Sequence, residues 1–85
     1  MLGELSDRDR AILALEAAWP RHGGVKEEKI RSQLGMSAAR YYQLLGRLIE
    51  TPQALEFDPL LVRRLRRLRD TRGTQRTARM RGFVG

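Results

Sequence analysis

The residues best placed to do chemistry in this chain are Arg40 and Gln43 and the nine arginines that follow residue 58. The chemistry they suit is recognition rather than bond making. Arg forks onto the edge of guanine and Gln onto adenine, and Arg grips phosphate through two parallel hydrogen bonds. Ser37, Ala38 and Ala39 precede Arg40, and small residues at the start of a helix suit the edge of a major groove. These five, Ser37, Ala38, Ala39, Arg40 and Gln43, are the expected base contacts. Lys26, Lys29, Tyr42 and Arg47 are the expected backbone contacts around them. Arg63, Arg66, Arg67, Arg72, Arg76, Arg79 and Arg81 extend that set along the C-terminal third.

Charge placement supports a polyanionic partner. Residues 1–57 hold eight basic and eight acidic side chains and are neutral overall. Residues 58–85 hold nine Arg against Asp58 and Asp70, so the whole net charge of +7 lies there. Arg, unlike Lys, also stacks on bases.

Catalysis finds less support. His22 is the only His and sits in a loop beside Gly23 and Gly24, and there is no Cys, so no transition-metal site is expected. Glu27 and Glu28 are neighbours and point different ways on a helix. Ser6 and Ser37 stand at helix starts, and no Ser has a base nearby in sequence. The Gly23-Gly24 pair lacks the spacing of a phosphate-cradling loop. Neither an enzyme nor a cofactor is expected.

The elements that must position these side chains are helices. Ser6-x-x-Asp9 opens the first, over about residues 7–19, with Ile12, Leu15 and Trp19 at helical spacing. Trp19 is expected to anchor the core. Pro20 and the two glycines end that helix. The second runs from about Val25 to Leu34, with Ile30 and Leu34 inward and Lys26 and Lys29 outward. Gly35 takes the turn, Ser37 caps, and the third helix spans residues 38–49, burying Tyr41, Leu44, Leu45 and Leu48. Thr51-Pro52 starts a single turn, and Asp58-Pro59 starts a basic helix to about Arg69 with Leu61, Leu65 and Leu68 as its apolar stripe. Residues 71–85 lack an apolar face and read as a flexible basic tail.

The fold class that follows is all-α: residues 1–5 a leader, residues 6–70 a three-helix core containing a helix-turn-helix plus a fourth basic helix, then the tail. No apolar run reaches the roughly 20 residues needed to span a bilayer. The N-terminus does not resemble a signal peptide, so a cytoplasmic, nucleoid-associated protein is expected.

The run KEEKIR, then G-x-S-x-x-RYYQ-x-L, then P-x-AL-x-x-DP-x-LV-x-RLRRLR resembles a family of short actinobacterial proteins of unknown function that are similar to helix-turn-helix proteins. The resemblance covers about Ile12 to Arg69. It implies an actinobacterial or phage source and the helix-turn-helix fold, and no site residues. Arg31 departs from the general pattern, which has a small residue after Ile30. Either the two helices sit further apart, or Arg31 lays its stem along the third helix with its head in water.

The leading expectation is a duplex-DNA-binding regulator or chromosome-associated protein. The alternatives are a module docking on RNA polymerase or the ribosome, and RNA binding through the Arg-rich tail. A membrane-surface role is disfavoured because the leucines of the basic helix are needed to close the core. A homodimer through part of that stripe stays open.

Overall fold

The computed structural model describes residues 4–84, with side chains through Thr71; Met1 to Gly3, expected to be loose, and Gly85 lie outside the described residues. Five helices follow in chain order: α1 (Asp7–Ala18), α2 (Gly24–Leu34), α3 (Ala38–Leu48), α4 (Pro52–Phe57) and α5 (Pro59–Val84). The fold is all-α. No helix among the described residues is long and apolar enough to cross a membrane.

Each start has a local cause. The Ser6 hydroxyl accepts from the Asp9 N–H at 3.0 Å, and the Asp9 carboxylate accepts from the Ser6 N–H at 3.3 Å, closing a capping box. Ser37 caps α3 by accepting from the Arg40 N–H, and Thr51 caps α4 by accepting from the Ala54 N–H. Asp58 accepts from the Leu61 N–H at the start of α5. Between α2 and α3, Gly35 has φ 65° and ψ 29°, a left-handed conformation that costs side chains with a Cβ.

Ile12, Leu13 and Leu15 of α1 meet Ile30 of α2 and Tyr41, Leu45 and Leu48 of α3 in one core. Ile49, Ala54, Leu61 and Val62 close it from below. Leu44 and Leu65 are half-buried at its margin.

Three expectations change. Trp19 does not anchor the core; it is 39 % exposed. It lies just past the last helical residue, at φ −130° and ψ 76°, where helical spacing no longer fixes its direction. Arg31, for which one of the two expected arrangements kept the head in water, is exposed and lies 3.9 Å from Glu28. Leu68 is 47 % exposed, because burial along α5 decreases from Leu61 and Val62 through Leu65. The helix boundary expected near Arg69 moves to Val84. No Pro interrupts that stretch, and Gly73 and Gly82 cost only about 1 kcal/mol each.

Gly46 sits in the last turn of α3 and is exposed, and a Cβ built there would meet nothing within 4 Å. Gly46→Ala is expected to raise stability by about 0.5–1 kcal/mol through helix propensity alone. Urea unfolding checks this; a loss of stability would show that the position is crowded.

Candidate nucleic-acid interface

The outward side of α3 faces away from Tyr41, Leu45 and Leu48. Ala39, Arg40, Gln43 and Arg47 are all exposed on it, at spacings that place them on one face. Arg40 Nη1 donates to Gln43 Oε1 at 3.1 Å, so the two side chains expected to read bases are already aligned. Ser37 is exposed, with its hydroxyl oxygen used as the cap, and Ala38 is half-buried. The sequence-derived base-contact set is therefore brought together at the start of α3.

The expected backbone contacts fare unevenly. Arg47, Arg63 and Arg67 are exposed. Lys29 is half-buried, with its ammonium 5.5 Å from the centre of the Trp19 ring. Tyr42 is half-buried, and its hydroxyl is 2.6 Å from His22 Nδ1. Its ring meets Tyr41 edge-on at 5.0 Å. Arg72, Arg76, Arg79 and Arg81 lie on α5, and their side chains are outside the described set.

Two arginines of α5, of which Arg66 is an expected contact, have other work. Arg66 Nε donates to the Ile49 carbonyl at 2.5 Å, satisfying a backbone acceptor at the end of α3. Arg69 pairs with Glu50 and with Asp70. Arg66 thus secures α5 against α3 and is not turned toward phosphate.

Lys26 is the larger correction. It is only 1 % exposed, and its ammonium donates to Glu16 Oε1 at 2.8 Å. Tyr41 Oη donates to the same Glu16 oxygen at 2.7 Å and also lies 3.4 Å from the Ile12 carbonyl. The Lys26 ammonium lies 5.7 Å from the Tyr41 ring centre and 5.3 Å from that of Tyr42. One carboxylate therefore ties α1 to α2 and α3. Lys26 lies one turn before Ile30, and Glu16 one turn after Ile12, so both occupy the apolar stripes of their helices. A paired Lys and Glu on two facing stripes is the signal that sequence reasoning missed. The desolvation of each charge is offset only by their mutual contact and by the hydroxyl.

Burial pushes the Tyr41 hydroxyl well above its ordinary value of 10, with the hydrogen bond to Glu16 adding to the rise. Its raised value favours the protonated form in the folded chain. The stability this contributes is complete below pH about 10 and is lost as pH rises beyond that, because the unfolded chain then releases a proton the folded one keeps. Tyr41→Phe is expected to cost about 1 kcal/mol at neutral pH and to flatten the alkaline decline. Urea unfolding between pH 8 and 11 tests this; parallel wild-type and variant curves would refute it.

These features describe a small all-α protein with a polar outer face on its third helix and an arginine-rich last helix. Residues 4–77 match the family described as Protein of unknown function (DUF3263), and the chain belongs to that family. No curated protein and no solved structure matches the chain.

Proposed function

We propose that the protein binds duplex DNA as a small transcription regulator or chromosome-associated protein in the cytoplasm, at the nucleoid. In this reading α2, the Gly35–Ser37 turn and α3 act as a helix-turn-helix, and α3 lies in the major groove. Arg40 and Gln43 contact bases, with Ser37, Ala38 and Ala39 allowing close approach. Lys29, Arg47, Arg63, Arg67 and the arginines beyond Asp70 hold phosphates.

The observation that carries the reading is the exposed group Ala39, Arg40, Gln43 and Arg47 on one side of a helix whose other side is locked in the core. Gln43 orients the Arg40 guanidinium before any partner arrives, which lowers the ordering cost of a contact.

The test is in vitro selection of duplex sites, followed by the Arg40→Ala, Gln43→Ala double variant. Each bidentate base contact discriminates by about 1–3 kcal/mol, so affinity for the selected site should fall roughly 10- to 1,000-fold. Affinity for random duplex should change little. Failure to select any motif, or a double variant that binds the selected site normally, would sink groove reading. Docking on RNA polymerase or the ribosome, and RNA binding by the C-terminal arginines, are the competing proposals. Preference for structured RNA over duplex in competition would favour the last.

A further inference from the structure

The side of α5 that the body leaves bare is not uniformly polar. Leu60 is 81 % exposed and Leu68 47 %, and Phe57 at the end of α4 is 48 % exposed. Leu60, Arg64 and Leu68 succeed one another at four-residue steps, which sets them along one line of the helix. Arg63 and Arg67 run beside that line, again one turn apart. Among the described residues, Arg63, Arg64 and Arg67 have no carboxylate within ion-pair distance, whereas Arg69 has two. The surface therefore reads apolar, cationic, apolar, with further cations on one flank.

Few partners match that order. Duplex DNA would satisfy the arginines and leave both leucines against water or phosphate. An anionic bilayer takes a continuous apolar face with cations at its margins, and here Arg64 stands on the midline between the leucines. A second copy of α5 would set arginine against arginine. A helix with an Asp or Glu flanked one turn away on each side by apolar residues matches all three positions at once.

We infer that the Leu60–Arg64–Leu68 line of α5 docks an acidic amphipathic helix of a partner protein. Its carboxylate meets Arg64 while its apolar neighbours cover the two leucines. The strip belongs to α5 and the proposed reading face to α3, so the chain joins two partners if α3 also reads DNA.

The test selects a displayed library of short helical peptides on the full-length protein, counter-selecting on the Leu60→Ser, Leu68→Ser double variant. Enriched peptides should carry an acid with apolar residues four places before and after it. Their affinity, read by fluorescence anisotropy, should drop by about tenfold or more in the double variant and in Arg64→Glu. Replacing the peptide's central acid by Lys should restore binding to Arg64→Glu. Far-UV circular dichroism checks that these surface variants keep the wild-type fold. Selection that yields no such motif, or peptides indifferent to both variants, overturns the inference. So does equal Leu60 and Leu68 dependence in binding to phosphatidylserine vesicles, which would mark a membrane surface. Self-association in sedimentation that the leucine variants abolish would assign the strip to a second copy and overturn it likewise.

Discussion

Replacing Glu16 by Ala is expected to leave much of the protein unfolded at 25 °C. The substitution strands the Lys26 ammonium, 1 % exposed, without its counter-ion, and removes the acceptor of the Tyr41 hydroxyl. Breaking a buried pair from one side costs about 3–5 kcal/mol. A domain of this size has a total margin of roughly 4–13 kcal/mol, and small domains sit toward the low end. Glu16→Gln should cost less, since the amide oxygen still accepts from Tyr41. The Glu16→Leu, Lys26→Met pair should recover most of the loss, because apolar replacement of a whole buried pair is often neutral or stabilising. Urea titration followed at 222 nm ranks the three. A midpoint for Glu16→Ala within error of wild type would show that water reaches Lys26 and that the junction contributes little.

That junction has a consequence for α3. Tyr41 lies on the buried side of the helix whose outer side holds Arg40 and Gln43, its immediate and near neighbours. Hydrophobic contact is non-directional and tolerates rotation of a helix by some degrees. A hydroxyl bonded at 2.7 Å to a carboxylate that is itself bonded to α2 tolerates little. The apolar double variant therefore separates two properties. If it is stable yet loses site discrimination, the charges set the aim of α3 and do not chiefly stabilise the fold.

Most of the helical plan was legible because its punctuation is chemical. Ser6, Ser37, Thr51 and Asp58 each stand where a helix needs a side-chain acceptor, and each accepts there. Gly35 stands where φ must be positive. The outer face of α3 was legible for a related reason: its inner face is a regular apolar run, which leaves Arg40, Gln43 and Arg47 outside. What was not legible depends on partners distant in sequence. Lys26 and Glu16 are ten residues apart and pair across a loop. Composition assigns a Lys to water, and only its position one turn before Ile30 argued otherwise. Arg66 is seventeen residues from the Ile49 carbonyl it serves. Trp19 and Leu68 keep helical spacing with the core, but the first lies beyond the end of its helix and the second beyond the buried part of α5. Periodicity states which side of a helix is apolar. It does not state how far along the neighbouring helices continue.

Binding to duplex DNA should weaken by a few hundredfold when salt rises from 50 to 200 mM, and a truncation after Asp70 should remove most of that dependence. Each phosphate neutralised contributes about −0.9 to the slope of log affinity against log salt. All nine C-terminal arginines acting together would give about −8 and a fall of roughly 10⁵-fold. The structure lowers that ceiling. Arg66 is committed to Ile49, Arg69 is paired with Glu50 and Asp70, and Arg64 lies between two exposed leucines. Arg72, Arg76, Arg79 and Arg81 remain beyond Asp70, with Arg63 and Arg67 on the exposed flank. If the four distal arginines dominate, their share of the slope is about −3.6, a fall of about 150-fold over that range. The truncated chain keeps the exposed Arg63 and Arg67 and should show a slope of about −1 to −2. Titration of random-sequence duplex at several salt concentrations reads both values. An unchanged slope after truncation would remove the distal arginines from the interface. A steep slope carried entirely by them, with no effect of Arg40→Ala, Gln43→Ala on any selected site, would make the protein a non-specific polyanion binder and leave the outer face of α3 to another partner.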